Sequence, residues 1–184
     1  MTIDKEFEAL IPPLADEEYR QLEENCLKEG IRDSLVVWDN DGEFVLIDGH
    51  NRYKIAQKHN LPYNHKRMEF PDRESVKRWI ILNQFGRRNL SAYDRSILAL
   101  KLKPIIAEQA KEKETERKTT YQKSEKSSLP TCNTTKELAK VAGVSHDTIH
   151  KVEVIQNSGD KKLIDDIRKG ETSINRAYQT VKGI

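Results

Sequence analysis

Residues 135–152, Thr135-Lys136-Glu137-Leu138-Ala139-Lys140-Val141-Ala142-Gly143-Val144-Ser145-His146-Asp147-Thr148-Ile149-His150-Lys151-Val152, constrain this chain more than any other segment. Two helices that cross at a steep angle need a small residue where they touch, and Ala139 supplies it. The tight turn between them needs a residue that accepts positive φ, and Gly143 supplies that. Val144 plugs the space beneath the turn, and Ser145 is placed to cap the second helix. Ile149 and Val152 then face Leu138 and Ala142. These offsets are those of a helix-turn-helix, whose second helix enters the major groove of duplex DNA with its N-terminal residues leading. The residues expected to meet DNA are Thr135, Ser145, His146, Asp147, Thr148, His150 and Lys151. Thr148 and the histidines can reach base edges or phosphates, and Lys151 a phosphate. His146 and His150 are four apart, as in a metal pair, but no third ligand is evident and no metal is assigned.

Charge agrees with this placement. Residues 1–110 hold 17 Lys and Arg against 19 Asp and Glu, whereas residues 111–184 hold 15 against 11, so the C-terminal part is the side suited to a polyanion. Downstream, Leu163, Ile164 and Ile167 make an amphipathic helix ending at Lys169-Gly170. A further helix starting at Glu171-Thr172-Ser173-Ile174 turns Ala177 and Val181 inward. Both are expected to support the DNA-binding unit.

The first half has a different grammar. Ile11-Pro12-Pro13-Leu14 is extended. A helix follows with Asp16 as its expected cap and Tyr19, Leu22, Cys26 and Leu27 on its apolar face, stopped by Gly30. Leu35-Val36-Val37-Trp38 and Phe44-Val45-Leu46-Ile47 flank Asn40-Asp41-Gly42, a hairpin signature. A short helix is expected over 51–59, a strand over 61–70, a helix over 73–83 capped by Asp72, and a long helix from Ser91 with Asp94 completing the cap. From 111 to 133 apolar residues nearly vanish, as in a fraying helix end and a flexible linker. The predicted organisation is therefore an α+β domain over 1–90, a long helix and linker over 91–133, and an all-helical domain over 134–184. The two cysteines, Cys26 and Cys132, have no metal-ligand spacing and are expected to be ordinary thiols.

Ile47-Asp48-Gly49-His50-Asn51-Arg52 sets a glycine between a strand and a helix. Free N–H groups there, with His50 and Arg52 near, can hold a phosphate. Arg87 and Arg88, in the loop before the long helix, offer a second half to an anion site.

At these residues the chain resembles the ParB-type partition proteins. Gly49-His50-Asn51-Arg52-Tyr53-Lys54-Ile55-Ala56 is similar to their GERRWRAA box, matching at Gly49, Arg52 and Ala56. Asn83-Gln84-Phe85-Gly86-Arg87-Arg88-Asn89-Leu90-Ser91 is similar to their ENxQRxxLxP box, matching at Arg87 and Leu90. The order of pieces fits over residues 8–184. The resemblance implies a small ParB/sulfiredoxin-like mixed-sheet domain followed by a helix-turn-helix domain. It also implies CTP with Mg²⁺ as ligand, held by Gly49, His50, Asn51 and Arg52 with Arg87, Arg88 and Asn89 opposite. The partners implied are double-stranded DNA, a second copy in a homodimer, and a partition ATPase. The location implied is the bacterial nucleoid or a plasmid. The departures are specific: His50 stands where the family has glutamate, and Asn83-Gln84 where it has glutamate-asparagine. Carboxylates usually carry metal binding and hydrolysis, so CTPase activity is expected to be weak or absent, and no catalytic residue is assigned. The chain also has no counterpart of the family's separate C-terminal dimerisation domain, which points to a plasmid, phage or integrative-element relative.

The competing reading is a small-molecule kinase on the same fold, with Asp48 as base or metal ligand. Sulfiredoxin chemistry is excluded, because its cysteine position is His50. A two-metal nuclease lacks the dense carboxylate cluster it would need. No apolar run reaches the roughly 18 residues of a membrane span. The N-terminus lacks a signal-peptide layout, so a cytoplasmic protein is expected.

Overall fold

The computed structural model describes residues 1–86, 90–120 and 134–184, with backbone alone for 108–120 and 134. The chain divides into two compact units, Met1–Gln84 and Phe85–Ile184.

The first unit runs α1 (Lys5–Ala9), α2 (Asp16–Glu29), β1 (Leu35–Asn40), β2 (Glu43–Asp48), α3 (His50–His59), β3 (His65–Met68) and α4 (Arg73–Phe85), whose end carries the chain into the second unit. The sheet order is β2-β1-β3, with β1 antiparallel to β2 and parallel to β3. The hairpin closes through Asp41 and Gly42, both at positive φ, the two-residue turn that suits the twist of paired strands. Asp39 Oδ1 accepts from Gly42 N at 3.0 Å and fixes that turn.

Strand alternation sorts the apolar residues onto two faces. One face packs Trp38, Val45 and Ile47 against Phe7 of α1 and Val76 and Ile80 of α4. The other carries Leu35, Val37 and Leu46, with Tyr53 and Tyr63 against them. Behind it α2 and α3 bury Cys26, Ile31, Ile55 and Ala56. Each large side chain fully buried here stabilises the unit by about 1.5–3 kcal/mol.

Helix α1 was not anticipated: Asp4 caps it, accepting from Glu6 N and Phe7 N, and Phe7 is fully buried. Three expectations need correction. Asp16 is the first residue of α2 rather than its cap. Ala15 precedes it, and Glu18 reaches back to the Ala15 N–H at 2.9 Å. Leu27 is about half exposed and lies off the buried face. The strand expected over 61–70 pairs only at His65–Met68, where β1 supplies partners.

The second unit is helical: α5 (Ala92–Thr120), α6 (Thr134–Ala142), α7 (His146–Ser158), α8 (Lys161–Arg168) and α9 (Ile174–Lys182). Short polar side chains mark the starts. Ser91 caps α5 at Asp94 N, Ser145 caps α7 at Thr148 N, Asp160 caps α8 at Leu163 N, and Ser173 caps α9 at Arg176 N. Each cap satisfies an N–H that a helix start otherwise leaves bare, for about 1 kcal/mol. Tyr93, Val152, Ile155, Ile167 and Ala177 form the core, with Ile97, Leu100, Leu163 and Ile164 packed around it. The Tyr93 hydroxyl accepts from Gln156 Nε2 inside this core.

Candidate functional site

The α6–turn–α7 pair is built as the sequence pattern requires. Leu138, Ala142, Ile149 and Val152 are fully buried and Ala139 nearly so. Gly143 sits at φ +63. A Cβ there would lie 3.4 Å from Arg95 Nη2, because Arg95 passes beneath the turn and donates through Nε to Ala142 O at 2.7 Å. The guanidinium thereby fills a carbonyl that the end of α6 leaves open. Sequence reasoning missed Arg95, since it lies on α5, far from the turn along the chain.

The leading turn of α7 is bare where a reader must be bare. His146, Asp147 and His150 are exposed, and Thr148 and Lys151 are half-buried. Ser145 Oγ and Thr148 Oγ1 lie 2.8 Å apart, so the Thr148 hydroxyl shares the cap. Lys151 is not a loose cation: Asp147 Oδ2 is 2.5 Å from its Nζ and Asn175 Oδ1 2.8 Å. The Tyr178 ring centroid is 5.9 Å from the same Nζ, and the His150 ring meets Tyr178 edge-on at 6.2 Å. Asn175 and Tyr178, three apart on α9, thus brace two of the candidate DNA residues. Their spacing puts them on one face of a helix, but only the folded packing brings that face to α7. Thr135, at the start of α6, is half-buried.

The strand-turn-helix of the first unit holds the other group of candidates. Gly49 caps α3 at φ +92, and α3 has no side-chain cap, so its first-turn N–H groups have no intrahelical partner. A Cβ on Gly49 would stand 2.6 Å from Leu35 Cδ2 and 3.2 Å from Arg52 Nη2, which makes glycine a steric requirement. Arg52 folds back over this turn. Its Nη2 lies 3.2 Å from Asp48 Oδ2, and its Nη1 lies 3.3 Å from Asp33 Oδ2 and 3.1 Å from Asp33 O. The guanidinium also borders a cleft of about 250 Å³ that it shares with Leu22, Asn25, Cys26, Arg32 and Asp33. Burial pushes the Cys26 thiol pKa up, and Arg52 opposes that shift.

His50, the first residue of α3, is only 4 % exposed, and neither ring nitrogen has a partner. Burial lowers its pKa, while Glu8 and Asp48 push the other way and Lys54 adds to the lowering. Asn51 is half-buried. Gln84, at 1 % exposure in the last turn of α4, has an unpartnered carboxamide. Arg87, Arg88 and Asn89 lie outside the described residues. Among the described residues no group of three or more His, Cys, Asp or Glu side chains could hold a metal ion. No helix among them is long and apolar enough to cross a membrane.

No protein-family model matches the chain, and no curated protein matches it in sequence. Solved structures do. A pNOB8-like ParB N-domain in its C222₁ form superposes at TM-score 0.63 with 20% identity, over 97% of this chain and 75% of its own. A second structure of the pNOB8-like ParB N-domain gives TM-score 0.61 and 21% identity, over 97% of this chain and 69% of its own. The fold is a ParB fold. A C-terminally truncated ParB from Caulobacter crescentus, complexed to the centromeric parS site, aligns over 93% of this chain and 76% of its own at 14% identity. Its TM-score is 0.49. The ParB likeness spans both units, so the mixed-sheet unit and the helical unit both have counterparts in it. The α+β class expected from the sequence holds.

Proposed function

We propose that this chain is a sequence-specific DNA-binding protein of the ParB-like partition or regulatory type, reading duplex DNA with the leading turn of α7. One observation carries the proposal. The inward residues Ile149, Val152 and Ile155 are fully buried, while His146, Asp147 and His150 on the opposite side of α7 are exposed. A helix fixed from behind with its N-terminal side chains bare is what major-groove docking demands. Ser145 and Thr135, at the starts of α7 and α6, are proposed phosphate contacts, as is Lys151. Asp147 and Asn175 aim the Lys151 ammonium before DNA arrives, which reduces the ordering cost of the contact.

A two-fold dimer is the proposed assembly, since such readers pair half-sites. A second ligand site is proposed at the turn before α3, for CTP. The support is the uncapped helix start and the buried His50 imidazole without a partner. Gly49, His50, Asn51 and Arg52 are the proposed phosphate residues; Arg87, Arg88 and Asn89, which the family resemblance adds to them, lie outside the described residues. A partition ATPase is the proposed protein partner. A small-molecule kinase would need Asp48 free as a base, and Asp48 is paired with Arg52. The preferred reading is therefore a binding protein, localised with DNA in the cytoplasm.

Fluorescence anisotropy on labelled duplexes at several salt concentrations tests the DNA reading. Specific binding should weaken steeply as salt rises, with a slope set by the phosphates neutralised. Calorimetry with CTP tests the second site, where Arg52→Ala should abolish binding. Indifference to every duplex, together with phosphoryl transfer to a small acceptor, would favour the kinase instead.

A further inference from the structure

From the donor set at the start of α3 we infer that this site takes its phosphorylated ligand as a free anion, without a divalent cation. This deepens the nucleotide reading of the first unit and rests on it.

Mg²⁺ wants hard oxygen ligands in octahedral array, usually one or two carboxylates together with the ligand's phosphates. The carboxylates around this turn are already engaged. Asp48 is paired with Arg52 at 3.2 Å, and Asp33 is 3.3 Å from the same guanidinium. Glu8 is held by Lys54 Nζ at 2.6 Å. Where a metal-binding oxygen would be expected, the first residue of the helix is an imidazole, a group Mg²⁺ accepts poorly.

The same residues suit an anion. The first-turn N–H groups of α3 lack a side-chain cap, and the helix start carries about half a positive charge. His50 is buried without a hydrogen-bond partner on either nitrogen. Such a group destabilises the fold unless something satisfies it. A phosphate oxygen does so by accepting from the ring. Gly49 is required by packing, since any Cβ there would strike Leu35, and it holds the turn that sets His50 at the helix start. The phosphate charge is thus met by amides, imidazole and the neighbouring arginine, the work a cation does elsewhere.

The test is calorimetry on the full chain with CTP in EDTA and in Mg²⁺, repeated with inorganic pyrophosphate. The affinity for CTP should agree within about twofold between the two media, less than 1 kcal/mol apart. His50→Ala should weaken it at least about tenfold, and His50→Gln, which keeps a donor, should recover part of the loss. His50→Glu should bind only when Mg²⁺ is present. Circular dichroism melts check that each variant folds. A loss of about tenfold or more in EDTA for the unaltered protein overturns the metal-free site and leaves the nucleotide reading standing. Pyrophosphate binding without CTP binding removes CTP and keeps the anion site. No binding of either compound in any medium overturns both.

Discussion

Lys151 Nζ lies 2.8 Å from Asn175 Oδ1, so a side chain of α7 proposed to touch DNA is held in place by α9. Lys151 also faces Asp147 at 2.5 Å, and its side chain is 22% exposed. Asn175 aims the cation without offsetting its charge, whereas the exposed Asp147 carboxylate offsets it and has to yield to a phosphate when DNA binds. Lys151→Ala should weaken binding about equally for all sequences and lower the salt slope by about one. Asn175→Ala should leave that slope unchanged while costing about 1 kcal/mol of affinity, the net worth of an ordinary hydrogen bond. Salt titrations of the two variants on one duplex separate these outcomes.

Gly49→Ala tests the construction of the turn before α3. The new methyl would stand 2.6 Å from Leu35 Cδ2 at a φ of +92. Leu35 is fully buried between strand and helix, so it has little room to retreat. The conformational penalty alone is about 1–2 kcal/mol, and the clash adds to it. Urea unfolding should show the first unit losing about 2 kcal/mol or more. A Gly42→Ala control, in open space at a similar φ, should lose only the conformational part.

The pH dependence of stability follows from His50. Its folded pKa is lowered, chiefly by burial, so the unfolded chain takes up a proton more readily. Stability is therefore complete above about pH 6.5, the ordinary imidazole value, and falls as pH drops toward the folded value. The carboxylates of Asp4, Glu6 and Glu8, each lowered through contacts with Arg73, Lys77 or Lys54, add a loss of the same sign further into acid. Denaturant titrations between pH 7 and 5 should show a decline that His50→Gln removes. A decline of equal size in the variant would assign it elsewhere. In the presence of a phosphate ligand the sign reverses for binding: protonated His50 is the better donor, so affinity should rise as pH falls.

The helical unit was largely legible because its constraints are local. Ala139, Gly143, Ser145, Ile149 and Val152 announce two helices and a turn within eighteen residues. The caps Ser91 and Ser145 mark where α5 and α7 start. The hairpin was legible for the same reason, Asp41-Gly42 between two β-branched runs. What stayed hidden depends on distance along the chain. Helix α1 is five residues long, too short to show a period, and exists because Phe7 fills a gap between Trp38 and α4. Strand β3 is mostly exposed and polar, and only β1 makes it a strand. Asn175, Tyr178 and Arg95 carry no motif; their roles come from the side chains they meet. At the turn before α3 the sequence identified Gly49, His50 and Arg52. It could not show that Arg52 is already held by two aspartates while His50 is buried without a partner.

The most direct test is a selection of bound sequences from a random duplex pool, run on the full chain and on His146→Ala with Thr148→Ala. The unaltered protein should enrich a short two-fold motif. The double variant should fold normally, since His146 is exposed and the Ser145 cap falls on the Thr148 backbone N–H, which alanine keeps, yet lose the enrichment while keeping weak, salt-sensitive binding. Equal enrichment of one motif by both proteins, or none by the unaltered protein, would contradict α7 as the reading helix.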